Sequence, residues 1–349
     1  VAKNIVLCCD GTSNEYGERS TNVLKLYSVL EKSDGQATYY DPGVGTLSAP
    51  TVWSRLGKRL SKAAGLAFGA GILRDIEEAY TYLMDYFEDG DRVFIFGFSR
   101  GAYTARGIAA LIAKCGLLNT GNDNLVPYAS KMFRYEMRPE IYRGFRKAFS
   151  RRCSIHFLGL WDTVKSVGWV YDPVSLPFTT NNAIVKTVRH AIAIDERRAF
   201  FRQHLWGKGR SFQDIKQVWF AGTHSDVGGG HSESESGPSN IALDWMIREA
   251  MPNLLVDQAR LQRLVGLGRP SIGSPRLHDS LTGWWWPVEY LPRTYRDPED
   301  KWKLRLKIYG GASRSIPENS LIHQSVFDRI KAGTYMPENL PQKHRTEPW

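Results

Sequence analysis

The stretch Arg92-Val-Phe-Ile-Phe-Gly97-Phe-Ser99-Arg100-Gly101-Ala102 constrains this chain more than any other, because its periodicity changes at one point. Val93–Phe96 is apolar at consecutive positions, as a strand buried on both faces requires. The pattern G-x-S-x-G follows, and the run from Ala102 to Lys114 is compatible with a helix. Strand, turn and helix in this order set a serine on a sharp, strained corner that only small neighbours such as Gly97 and Gly101 permit. Its hydroxyl then projects above the sheet, and the N–H groups of the new helix face the same space. G-x-S-x-G is weak alone, since glycine and serine are common in loops. The strand before it and the helix after it give it weight.

The rest of the chain repeats the alternation. Strand-like apolar runs are expected at Asn4–Cys9, Ala37–Tyr40, Arg92–Phe96, Ser154–Trp161 and Gln217–Ala221. Helices are expected at Asn22–Leu30, capped by Ser20 or Thr21, at Ile72–Phe87, at Ala183–Ile194 and at Ile241–Ala250, capped by Ser239 or Asn240. Strands apolar throughout, separated by helices, predict a mostly parallel, doubly wound α/β sheet covered on both faces. One domain over residues 1–336 is expected, with two insertions. Residues 47–71 join Arg55, Lys58, Arg59 and Lys62 to Trp53, Leu56, Leu60 and Leu66, which suits either a basic amphipathic lid at an interface or a surface helix packed on the core. Residues 266–298, with Trp284-Trp285-Trp286, suit a cap over a substrate or a packed irregular excursion. Residues 337–349 read as a polar tail.

Composition narrows the classes. The 349 residues are 42% hydrophobic, which excludes global disorder. A net charge of +10 favours anionic partners, whether phospholipid surfaces, nucleic acid or acidic substrates, and interspersed acidic and basic residues serve plain solubility equally well. No nucleic-acid-binding motif accompanies the charge, so nucleic acid is not favoured as a partner. Cys8, Cys9, Cys115 and Cys153 show no C-x-x-C spacing and are expected as free, largely buried thiols. No signal peptide and no run near the roughly 18 apolar residues of a membrane span is visible. A chain made in the cytoplasm and exported, if at all, without an N-terminal signal is the expectation.

A serine nucleophile needs a base to take its proton and an acid to orient that base. In this fold class these groups follow strand ends in the chain order Ser, acid, His. Asp162 closes the run ending at Trp161, and His224 follows the run ending at Ala221, in Gly222-Thr-His224-Ser-Asp226-Val-Gly-Gly-Gly230. Ser99, Asp162 and His224 therefore each close a different strand. Rivals for base and acid are His190, His323, Asp195 and Asp226. His190 and Asp195 fall at the segment read as helix, away from a strand end; His323, beyond the last clear strand, is the better rival to His224. Oxyanion donors are expected from the N–H of Arg100 and from Gly11 or Thr12 after the first strand. His224, Asp226, His231 and Glu233 suggest a metal, but without a second ligand cluster no metal is expected. A phosphate loop and a dinucleotide site fail for want of G-K-[ST] and G-x-G-x-x-G.

Asp10-Gly-Thr-x-Asn14, Tyr40-Asp-Pro-Gly-Val-Gly45, Gly97-Phe-Ser-Arg-Gly-Ala102, Trp161-Asp-Thr163, His190-Ala-x-Ala-x-Asp-Glu-Arg-Arg198 and His224-Ser-Asp-Val-Gly-Gly-Gly230 occur in this order. Over about residues 4–330 this set resembles the α/β-hydrolase family that includes the catalytic domain of type VI secretion phospholipase effectors. The resemblance implies an α/β-hydrolase-like fold, a Ser99–Asp162–His224 triad, no cofactor, and an ester or acyl-lipid substrate. It leaves two alternatives: a soluble hydrolase of small esters, thioesters or polyesters, and a catalytically silent interaction domain on the same scaffold.

Overall fold

The computed structural model describes residues 2–11, 19–43, 55–135, 137–164, 168–169, 172–173, 176, 179–265, 277–283, 285–296 and 304–349. Its centre is an eight-stranded sheet made of β1 (Asn4–Cys9), β2 (Gln36–Asp41), β3 (Arg92–Phe98), β4 (Ile155–Trp161), β5 (Val185–Ala193), β6 (Asp214–Phe220), β7 (Ser320–His323) and β8 (His344–Glu347). The spatial order is β8-β7-β6-β5-β4-β3-β1-β2, and every pair in it is parallel. The connecting helices include α1 (Asn22–Val29), α2 (Arg55–Tyr86), α3 (Arg100–Cys115), α4 (Val126–Tyr135), α5 (Pro139–Phe149), the short α6 (His224–Gly228) and α7 (Gly237–Ala250).

The strands are apolar at consecutive positions because each face of the sheet has its own core. On β1, Ile5, Leu7 and Cys9 pack with α2 and α3, whereas Val6 and Cys8 pack with α1 and α7. On β3, Val93 and Ile95 turn to the first side, and Phe94, Phe96 and Phe98 to the second. A side-chain period of two with both faces covered admits a polar residue in mid-strand only where buried partners meet it, so a polar group gains access to solvent most readily at a strand end.

Strand order reverses at β1, which has β2 on one side and β3 on the other. In open α/β sheets ligands bind at such a switch point, outside the carboxyl ends of the strands. Here that crevice lies between Asp10-Gly11 and Ser99. A separate cleft of about 440 Å³ opens toward the amino ends of β4, β5 and β6, where Arg189, Asp214 and Glu249 line it. Its charges are already paired with one another, through Arg189 to Asp214 and to Glu249.

Three expectations require correction. Residues 183–194 form the strand β5 rather than a helix. Their alternation of Arg189 and His190 among apolar residues resembles a helical stripe, but Val188 turns to one core and Ala191 and Ala193 to the other. The helix expected from Ile72 begins at Arg55 and runs without a break through much of the stretch read as an insertion; 47–54 lie outside the described residues. In the second insertion, 266–276, 284 and 297–298 lie outside the described residues; the rest holds a turn of helix at Trp285–Glu289 and a strand, Arg293–Arg296, antiparallel to Leu304–Lys307. Residues 337–349 are no mere tail, since β8 pairs with β7 over Ser320–His323.

Glu347 anchors this edge strand. Its carboxylate accepts from Lys216 Nζ at 2.9 Å and from Trp245 Nε1 at 3.2 Å. Glu347→Ala leaves the buried indole N–H unpaired, at a cost of about 1–3 kcal/mol. Thermal unfolding is expected to shift down by several degrees, and an unchanged midpoint would detach β8 from the folded core.

Candidate active site

Ser99 follows β3 and adopts φ 57°, ψ −119°, in the left-handed half of conformational space that a non-glycine residue enters only under constraint. The constraint comes from its neighbours. A Cβ on Gly97 would lie 2.5 Å from the Gly101 carbonyl, and one on Gly101 would lie 2.2 Å from the Cys9 carbonyl. The corner is therefore pressed against the end of β1, and glycine is required at both places. The Ser99 N–H donates to the Trp161 carbonyl at 3.0 Å, which ties the corner to the end of β4.

Asp162 is the next residue after β4 and is wholly buried, with φ 36°. Its Oδ2 lies 2.5 Å from His224 Nδ1. Its Oδ1 accepts from Arg314 Nη1 at 2.5 Å and from the Ala193 N–H at 3.0 Å, and Arg314 Nη2 reaches Oδ2 at 3.0 Å. Burial alone would raise the Asp162 pKa, but Arg314 and then His224 overcome it and hold the carboxyl below the usual carboxylate range.

His224 opens α6 and is fixed on several sides. Its ring lies 4.6 Å from that of Phe98, the residue before Ser99, and meets the Phe201 ring edge-on at 4.8 Å. Its backbone N–H donates to Glu196 Oε2 at 3.3 Å, and Glu196 in turn pairs with Arg198 at 2.9 Å. Burial is the largest influence on the imidazole and lowers its pKa below the ordinary 6.5, although Asp162 and Glu196 pull the other way. The ring is thus neutral at neutral pH. With Nδ1 turned to the carboxylate, Nε2 is the nitrogen left to accept a proton.

The rivals are engaged elsewhere. His190 Nε2 accepts the Thr163 N–H at 3.2 Å, and burial followed by Arg106 pushes its pKa down to about 3. Asp195 does close a strand, contrary to the helical reading, but its carboxylate accepts the Gly222 N–H at 2.6 Å and the Tyr335 hydroxyl at 2.7 Å. His323 accepts the Ser325 N–H at 3.3 Å and stacks on Phe220. Asp226 caps α6 through the Thr223 N–H at 2.9 Å. Among the expected oxyanion donors, the Gly11 N–H donates to Asp10 Oδ1 at 2.6 Å, and Thr12 lies outside the described residues. The four thiols are free, and burial pushes those of Cys115 and Cys153 up to about 12, so neither competes as a nucleophile.

Residues 3–249 match the family described as T6SS phospholipase effector Tle1-like, catalytic domain. The chain belongs to that family. It is 40% identical over 220 residues to the uncharacterized protein YEL023C of Saccharomyces cerevisiae, a match covering 58% of this chain and 32% of that protein. It is similar to the crystal structure of an uncharacterized protein from Pseudomonas aeruginosa, with 21% identity, TM-score 0.42, and 74% and 47% of the two chains covered. A structure of the Tle1 effector bound to the VgrG spike is similar at 18% identity and TM-score 0.37, covering 66% and 52%. The chain thus spans about a third of the curated relative and about half of the solved chains. Among the described residues no helix is long and apolar enough to cross a membrane.

Two site residues escaped the sequence reading of this Tle1-like domain. Glu196 stood inside a quoted motif but without a role, and Arg314 stands in no motif. Nothing in Gly310-Gly-Ala-Ser-Arg314 marks a buried cation; only the fold carries it to Asp162. Removing one partner of a buried ion pair costs about 3–5 kcal/mol. Arg314→Met is expected to lose stability on that scale in denaturant unfolding, whereas a loss below about 1 kcal/mol would mean that the pair contributes little.

Proposed function

We propose that this domain is a serine hydrolase of carboxylic esters that works through an acyl-enzyme, with acyl lipids as its substrates. The observation that carries the reading is the buried 2.5 Å contact between His224 and Asp162, beside a strained serine on the neighbouring strand. In the proposed reaction His224 Nε2 takes the proton of Ser99 Oγ as the oxygen attacks the ester carbonyl carbon. Asp162 keeps the proton on Nδ1 and stabilises the imidazolium that forms. The imidazolium then gives its Nε2 proton to the departing alcohol. Water enters, loses a proton to the same nitrogen, attacks the acyl carbon and releases the acid with Ser99 restored.

The developing oxyanion is assigned to the Arg100 N–H at the start of α3, with a second donor from the turn at Gly11 and Thr12. Gly101 supports this pairing, because its missing Cβ lets that turn approach the corner. The Gly11 N–H would have to leave the Asp10 carboxylate to serve. The chemistry requires no cofactor. The net charge of +10 and the basic stretch 47–71 support an anionic lipid surface as the place of work.

A fluorophosphonate probe is expected to label wild type and not Ser99→Ala, whose ester hydrolysis should fall by at least about 10⁴-fold. Labelling of neither protein would favour a silent scaffold. In a substrate panel, long-chain phospholipid in anionic vesicles is expected to be preferred; activity confined to short soluble esters would favour the small-ester alternative. The pH dependence follows from the base. Since His224 must be neutral to act and its pKa is lowered, kcat/KM should rise with pH to a plateau, with the midpoint of the acidic limb below 6.5. In Arg314→Met the imidazolium loses a nearby opposing cation and gains the undivided charge of Asp162, so the limb should move to higher pH. A limb that stays in place would remove His224 from the role of base.

A further inference from the structure

His224 pairs with Asp162, and a second cluster of donors gathers at the same short helix. Asp226 (on α6), His231 (just beyond α6) and His278 (from the segment 277–283) bring one ligand atom each to within 4.8 Å of one another. We propose that these residues bind a divalent transition-metal ion of the zinc class, which fastens the 277–283 segment to the helix that carries His224. This inference is independent of the serine-hydrolase reading.

The two oxygens of Asp226 have separate duties. Oδ2 accepts from the Thr223 N–H at 2.9 Å, the Thr223 hydroxyl at 3.0 Å and the His278 N–H at 3.1 Å, so the carboxylate is held rigidly. Oδ1 faces two imidazoles: His278 Nδ1 at 2.6 Å and His231 Nε2 at 3.8 Å. A histidine–aspartate hydrogen bond accounts for His278 but not for His231. His231 Nε2 is buried and has no hydrogen-bond partner among the described residues, and the two rings stack at 3.7 Å with 14° between their planes. Native structures rarely leave such a nitrogen unpaired, and an ion is one of the few things that satisfies two imidazoles and a carboxylate oxygen at once.

Two nitrogens and one oxygen are a donor set for zinc, cobalt or nickel, whereas calcium and magnesium require oxygen. Ligands in a tetrahedral zinc site lie roughly 3.4 Å apart, so the His278 contact must open and the wider ones close, each by small side-chain rotations. A metal-bound imidazole carries its proton on the other ring nitrogen, here Nε2, with Glu235 Oε1 3.9 Å away. Arg19 near His231 and Arg329 near Asp226 oppose a cation and temper its affinity. Three protein ligands leave a position for water.

The metal would reach the base by two routes. Asp226 lies on α6 itself, and Ser280 in the clipped segment donates to Glu196 Oε1 at 2.9 Å, the residue that holds the His224 N–H. The sequence reading grouped His231 and Asp226 with His224 and Glu233. The fold instead gives His224 to Asp162 and supplies His278 from a distant segment.

The test uses the tag-free, chelator-treated protein titrated with ZnCl₂ by calorimetry, and with CoCl₂ followed by visible absorption. Wild type is expected to bind one equivalent of Zn²⁺, to show four- or five-coordinate Co²⁺ bands, and to unfold at higher temperature with Zn²⁺ but not with Mg²⁺ or Ca²⁺. His231→Gln breaks no hydrogen bond of Nε2 and should unfold in chelator as wild type does, yet its Zn²⁺ affinity should fall at least about 100-fold. His278→Gln should lose affinity similarly, and His344→Gln, at an exposed site, should not. A wild type that takes up no Zn²⁺, or binding undiminished in His231→Gln, overturns the proposal.

Discussion

A buried carboxylate shared between a guanidinium and an imidazole organises this molecule. Asp162 has no exposure to water, and an ion so placed is tolerated only when every lone pair finds a donor. Arg314 supplies two donors, the Ala193 N–H a third and His224 a fourth. These come from β5, from the loop after β6 and from beyond residue 310, so one charge draws together segments far apart in the chain. Burial is the largest influence on His224 and holds its pKa below the ordinary 6.5, while Asp162 and Glu196 pull the other way. The Arg314 guanidinium also reaches the Phe201 carbonyl, and Phe201 closes one side of the His224 ring.

The sheet explains why this ion sits where it does. With helices on both faces, mid-strand positions admit polar groups only with buried partners, and the first residue beyond a strand is the nearest place where backbone and side chain can turn toward solvent or one another. Ser99 and Asp162 are those first residues on adjacent strands, following the register pair Phe98 and Trp161. Both have positive φ without being glycine. Two strained residues side by side mark an edge where the surrounding packing over-determines the backbone. Gly97 and Gly101 relieve the collision that the Ser99 corner would otherwise cause.

Much of this was legible in the sequence, and the failures have physical causes. β1, β3, β4 and β6 announce themselves because doubly buried strands are unbroken apolar runs, and Asp162 and His224 followed from their ends. β5 was misread because Lys186, Arg189 and His190 interrupt its run. Arg189 is near the amino end, where it pairs with Asp214 and Glu249, and His190 survives in mid-strand only because Thr163 and Gln217 meet its two nitrogens. β7 and β8 are too short and too polar to carry a period. At the sheet's edge β8 keeps His344, Arg345 and Thr346 exposed, so no burial pattern forms. Arg314 and His278 were beyond reach for another reason: each acts on a partner distant in sequence, and an isolated Arg or His in a loop carries no periodic signal.

Preorganisation of His224 follows from the same economy of position. Its side chain is set by Asp162, its backbone by Glu196, and its ring by Phe98 and Phe201. Each constraint arises on a different element: β4, the loop after β5, β3 and the turn at 199–201. None of them requires the others to move. An imidazole held in this way keeps its Nε2 direction without help from a ligand, because any tilt of the ring must breach an aromatic contact or lengthen a charge-assisted hydrogen bond. Glu196 adds a further consequence. Its other contacts run to Arg198 and Ser280, so the loop after β5 and the segment 277–283 are joined through one buried carboxylate to the backbone of His224. The site therefore rests on two buried carboxylates of opposite function: Asp162 orients the imidazole, while Glu196 fixes the helix start from which it projects.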